Sequence, residues 1–116
     1  MALHKHVAVA ATPIHLISIL VGVSVTAEEV DVTHLREALV TSSLSERQKQ
    51  AVLLRFFMGL TYQQMGRAMG VCAGPAQQHT LNAIHRLRHP INMRHLSRAV
   101  IMSAHAGEEQ RKKIWH

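Results

Sequence analysis

Residues 59–90 read GLTYQQMGRAMGVCAGPAQQHTLNAIHRLRHP. Gly59 suits a left-handed helix end, and Thr61 with Gln64 stands at capping-box spacing, which opens a short helix from Tyr62 to Met69. Gly70 ends that helix. After the turn Val71-Cys72-Ala73, Pro75 fits the first position of a longer helix running to His89, where Pro90 limits continuation. Upstream, Ser45 and Gln48 repeat the capping-box spacing, and Leu44 is placed to staple onto the first turn of a helix from Glu46 to Met58.

A short and a long helix joined by a turn that begins at glycine, with a packing helix ahead of them, is the layout of a trihelical helix-turn-helix. The apolar positions agree with it. Met65, Ala68, Met69 and Val71 can face the packing helix, and Gly66 is small where the next helix approaches. Ala76, Thr80, Ala83, Ile84 and Leu87 form the inward stripe of the long helix. The expected fold is all-α, with this core carrying additional N- and C-terminal helices.

Outside the core the signals are uneven. The first dozen residues, up to Pro13, carry no helical punctuation and read as an arm. Ile14 to Val23 has the β-branched content of a strand, but no partner strand is in sight, and a helix is the reading carried forward. Thr26 and Glu29 again have capping-box spacing, and Val32, Leu35 and Leu39 repeat at helical intervals, predicting a helix from Ala27 to Val40. A last helix is expected from Asn92 to Ala106. The chain thus divides into 1–43, an arm with a packing or dimerisation segment, 44–90, the helix-turn-helix, and 91–116, a C-terminal helix with a basic tail, all within one globular domain.

The stretch Leu44 to Pro90 resembles region 4 of bacterial sigma factors. Its landmarks are LSERQ, the helix pair LLRFFMGLTYQQMGRAMGV and the closing HRLRHP. The apolar segment HLISILVGVS followed by a helix-turn-helix is similar to the PapB family of fimbrial-operon regulators, and Gly59 to Leu87 is similar to plasmid repressors of the TrfB type. The sigma resemblance implies promoter-related DNA binding and RNA polymerase as a possible partner. The chain has no room for the separate domain with which sigma factors melt promoter DNA. Where the family places charged base-reading residues, this sequence has Ala73, Gly74, Gln77 and Gln78.

On the outward face of the long helix, Gln78, Asn82, His85 and His89 form one stripe, with Gln77, Leu81 and Arg88 beside it. Gln and Asn can pair bidentately with adenine, so Gln77, Gln78 and Asn82 predict a preference for A/T-containing sites. Arg86 and Arg88, followed by Arg94 and Arg98, lie where phosphate contact sets affinity rather than sequence choice. Arg47, Lys49 and Arg67 are candidates for further backbone contacts.

Charge supports a polyanionic partner. Of the 116 residues 13 are Lys or Arg and 7 are Asp or Glu, and the acidic ones gather early: Glu28, Glu29, Asp31 and Glu37 precede the core. The single cysteine, Cys72, cannot form an internal disulfide, which fits a reducing cytoplasm. The stretch from His4 to Ala27 has the outline of a signal peptide, but Pro13, His15 and Ser18 interrupt it, and Ile19 to Val23 is shorter than the roughly 7–15 apolar residues such a region uses. Neither a membrane span nor an enzyme is expected, since Cys72 has no orienting base and no phosphate loop is present. The pairs His4/His6 and His85/His89 lack the further ligands of a zinc set, so no metal or other cofactor is expected. Histidine protonation near pH 6 would add positive charge and raise nucleic-acid affinity. The function that follows is a sequence-specific regulator, dimeric through its flanking apolar segments, that binds double-stranded DNA. The other reading is a sigma-like adaptor that binds RNA polymerase or another regulator without reading sequence.

Overall fold

The computed structural model describes residues 11–22, 25 and 30–98. The arm before Ala11, the Thr26/Glu29 pair, His4/His6 and the basic tail lie outside these. Among the described residues every regular element is helical: α1 (Pro13–Val21), α2 (Val32–Val40), α3 (Glu46–Val52), α4 (Tyr62–Met69), α5 (Ala73–Leu87) and α6 (90–98). None is long and apolar enough to cross a membrane.

The segment read as ambiguous is helix α1. Thr12 caps it by accepting a hydrogen bond from the backbone N–H of His15, and Pro13 occupies the first turn, where a missing N–H costs nothing. Three of its apolar residues, Leu16, Ile17 and Leu20, are buried, and this tertiary burial overrides their β-propensity.

The expected helix from Ala27 to Val40 is corrected at its start. Asp31 is extended, and its carboxylate accepts from the N–H groups of Thr33 and His34, so α2 begins at Val32. Those hydrogen bonds, the one from His34 first, hold the Asp31 carboxyl below the usual carboxylate range.

Both capping boxes of the core form in full. Ser45 and Gln48 bond each other's backbone N–H groups at the start of α3, and Thr61 and Gln64 do the same at α4. Leu44 is buried in the main core. The helix expected to run to Met58 is interrupted, because α3 passes at Leu53–Phe57 into a π-helical turn, where the N–H of Met58 reaches back to the carbonyl of Leu53. Gly59 follows at φ +67° and lets the chain reverse into α4.

The turn between α4 and α5 is drawn tight over Gly66, whose carbonyl accepts from the N–H groups of Gly70 and Val71. A Cβ at Gly66 would lie 2.5 Å from the carbonyl oxygen of Val71. The close approach comes from the backbone of this turn rather than from α5 itself. Met65 and Met69 are buried as expected, whereas Ala68 is exposed. It stands on the solvent side of α4 beside Arg67.

Helix α5 starts two residues earlier than expected, at Ala73 after the N-cap Cys72, and ends at Leu87 rather than His89. Pro75 is therefore the third helical residue. It is tolerated because the first-turn N–H groups have no intrahelical partner. The chain turns at Arg88 and His89 and re-enters helix at 90, two residues before the expected Asn92. His89 caps this start, its Nδ1 accepting from the N–H of Ile91.

Two apolar clusters carry the packing. The larger joins α1, α2, Val52 and Phe56 to the C-terminal part of α5 and to Leu96 of α6. The smaller, Ala51, Met65, Met69 and Ala76, fills the angle between α3, α4 and the start of α5, with Leu54, Leu60, Tyr62 and Val71 against it.

Candidate nucleic-acid interface

The inward stripe of α5 is as read from sequence: Ala76, Thr80, Ala83 and Leu87 are buried and Ile84 half-buried. The one polar member, Thr80, satisfies its hydroxyl by donating to the carbonyl of Ala76 at 3.0 Å. With that face fixed, helical geometry turns Gln78, Asn82 and His85 outward; they are exposed, as are Gln77, Leu81, Arg86, Arg88 and His89. Gln78 Nε2 donates to Asn82 Oδ1 at 2.9 Å. The pair orders two amide groups one turn apart and leaves Gln78 Oε1 as an acceptor and Asn82 Nδ2 as a donor for an outside partner.

The two ends of α5 differ in their surroundings. Its first turn, Ala73, Gly74 and Pro75, is bare, and a Cβ at Gly74 would meet nothing within 4 Å. Its last turns are flanked on both sides. Arg88 Nη2 donates to the carbonyl of Ile19 in α1 at 3.4 Å, and a shallow groove on the other flank sets Asn82, Arg86 and His89 opposite Ser43 and Gln48.

The remaining candidates separate into two groups. Arg67 is exposed on the last turn of α4. Lys49 is not brought to the α5 stripe: it lines a groove with Val40, Gln50 and Leu53, and its Nζ lies 3.8 Å from the Glu46 carboxylate. Arg47 has a structural task, donating at 2.7 Å to the carbonyl of Met69 at the open end of α4. Arg94 and Arg98 are exposed on α6.

Two residues that shape the site went unnoticed in the sequence. Arg55, in the π turn, donates to the carbonyl of Leu60 at 2.9 Å and stacks 4.3 Å from the centre of the Tyr62 ring, which pins the α3–α4 connection. Asn92 is buried. Its Oδ1 accepts from the N–H of Ser43, and its Nδ2 donates to Ser43 Oγ and to the carbonyl of Arg86. A buried asparagine on the apolar face of a helix is a faint sequence signal, since such a residue must find several polar partners.

Electrostatically, the stretch from Arg47 to Gly107 contains eight Lys or Arg residues and no Asp or Glu. All of α4, α5 and the described part of α6 fall within it, so no carboxylate interrupts the potential along these helices. Among the described residues no three His, Cys, Asp or Glu side chains gather as a metal-binding group.

Residues 42–89 match the family model described as Sigma-70, region 4, a helix-turn-helix of DNA-binding type. Over this segment the chain is similar to region 4 of sigma factors, while α1, α2 and α6 lie outside the match. No curated protein and no solved structure matches the chain. The likenesses to PapB and TrfB-type regulators stay expectations.

Proposed function

We propose that the chain is a sequence-specific regulator of transcription that presents the exposed face of α5 to the major groove of duplex DNA and acts as a homodimer. The observation that carries this reading is the stripe of exposed amide and imidazole groups on α5, set in a stretch of chain without a carboxylate. Gln77 and Gln78 lie toward the bare N-terminal part of the helix, the part that contacts base edges in helix-turn-helix proteins, and Asn82 stands one turn beyond Gln78, hydrogen-bonded to it. Each good bidentate pair with adenine is worth about 1–3 kcal/mol of discrimination, so the preferred sites contain A/T pairs. His85 stands one turn further on. Arg86, Arg88 and Arg67 supply phosphate contacts, which set affinity and salt dependence. A dimer sets two copies of α5 about 34–36 Å apart, one turn of DNA. Its place of action is the cytoplasm.

A second reading has an observation of its own. The first turn of α5 offers Ala73, Gly74 and Pro75 and no charged side chain, which fits an adaptor that engages RNA polymerase or another regulator and does not read bases. Selection from random-sequence duplex separates the two. Enrichment of a discrete A/T-containing site, lost in Gln77→Ala/Gln78→Ala and weakened evenly across sequences in Arg86→Ala/Arg88→Ala, supports the regulator. Weak, unselective binding that is steeply salt-dependent supports the adaptor.

A further inference from the structure

We infer that α6 is a second DNA-backbone-binding element, with Arg94 and Arg98 engaging phosphates that flank the site read by α5. The inference rests on the DNA-binding reading above and extends it beyond the region 4-type segment.

Continuity is the first ground. The groove along the C-terminal flank of α5, bounded by Asn82, Arg86 and His89, shares a wall formed by Ser43 and Ile91 with a second groove. That second groove runs between the end of α2 and α6 and is lined by Arg94, His95, Ser97 and Arg98. A polyanion leaving the face of α5 on this side therefore meets a basic path and no carboxylate.

Rigidity is the second. The inner face of α6 is fixed by buried Leu96 in the main core and by Asn92, whose three hydrogen bonds tie it to Ser43 ahead of α3 and to the last turn of α5. His95 Nε2 adds a contact of 2.7 Å with Thr41 Oγ1. Arg94 and Arg98 stand on the opposite face, exposed, and neither forms an ion pair among the described residues. Four residues apart on a helix, they are about 6 Å apart along its axis. A DNA strand advances about 3.4 Å per phosphate along its own axis, so the pair spans about two phosphates. Duplex DNA is the partner favoured over an acidic protein because this path continues from the helix proposed to read bases.

The test is the salt dependence of binding to a 30-base-pair random-sequence duplex. It compares the parent, Arg94→Ala/Arg98→Ala, Arg94→Lys/Arg98→Lys, and Arg36→Ala/Lys49→Ala, which removes the same charge from α2 and the far side of α3. Circular dichroism checks that each variant is folded. Two lost phosphate contacts flatten the slope of log K against log salt by about 1.8. The expected result is that flattening in Arg94→Ala/Arg98→Ala alone, with the lysine pair keeping the parental slope. An unchanged slope, or equal flattening in Arg36→Ala/Lys49→Ala, overturns the inference, the latter because it would report net charge only. A parent that binds but selects no sequence, and still loses slope with Arg94 and Arg98, removes the sequence-reading proposal and leaves this one standing. A parent that does not bind DNA removes both.

Discussion

The two apolar clusters are built from different materials, and α5 belongs to both. Around its first turns the smaller cluster is made of alanines and methionines, Ala51, Met65, Met69 and Ala76, closed over by a turn that touches Gly66. Around its last turns the larger cluster is rich in branched residues, with Leu16, Leu35 and Leu39 from α1 and α2 against Ala83 and Leu87. Small residues let backbones approach closely and fix the angle between α4 and α5. Branched residues bury more area, at about 25 cal/mol per Å² of apolar surface, and supply more of the stability. The region that sets the geometry of the helix-turn-helix is thus distinct from the region that anchors it, and the anchor is drawn largely from helices outside the region 4-type segment.

The division is open to direct attack. Leu16→Ala, in α1 and fully buried, is expected to cost about 2–5 kcal/mol in denaturant unfolding. Tyr62, the only tyrosine, packs against the smaller cluster and reports on it by fluorescence in a Trp115→Phe background, where no tryptophan emission covers it. If the clusters form one cooperative unit, Tyr62 fluorescence and far-ultraviolet circular dichroism shift together; separate transitions would show that the helix-turn-helix stands without its anchor. Gly66→Ala is expected to cost about 1–3 kcal/mol, because the added methyl meets backbone that cannot swing aside. Its DNA affinity should fall further than its stability does, since the α4–α5 angle changes. Ser45→Ala and Thr61→Ala should each cost about 1 kcal/mol, measured by thermal melts, as each removes one arm of a capping box. The smallest effect belongs to Asp31. Its carboxyl titrates below its ordinary value when folded, so the stability it lends is present above about pH 3.8 and lost as pH falls through the lowered folded value. Asp31→Asn, which keeps a capping acceptor but not the charge, should flatten that acid limb by melting slightly lower than the parent near pH 7 and level with it below the folded value.

The core helices were legible wherever punctuation was local. Thr61, Gln64 and Gly70 mark the bounds of α4 correctly, and Ser45 and Gln48 mark the start of α3, because a cap is made by residues within one turn of each other. Where two local signals competed, sequence misled. Pro75 pointed to a helix start, but a proline fits any position of the first turn, and the helix begins at Ala73. The spacing of Thr26 and Glu29 pointed to a helix start at Ala27, and Asp31, read from sequence only as an acidic residue, is the cap of α2. The outward stripe of α5 followed from 3.6-residue periodicity alone. Periodicity could not show that Lys49 turns toward Glu46, that Arg47 closes the end of α4, or that Asn92 binds Ser43, since these depend on partners distant in sequence or on the rotation of a neighbouring helix.

The π turn at Leu53–Phe57 makes the length of that segment matter as much as its composition. A turn that closes over five residues instead of four is, in effect, a one-residue insertion absorbed within a helix. Deleting a single residue there would close the wide turn into ordinary α-helix and leave the helical turns on either side nearly in phase. The residues of the wide turn itself would change places, so the contact of Arg55 with Tyr62 and the seat of Phe56 in the main core are what such a deletion puts at risk.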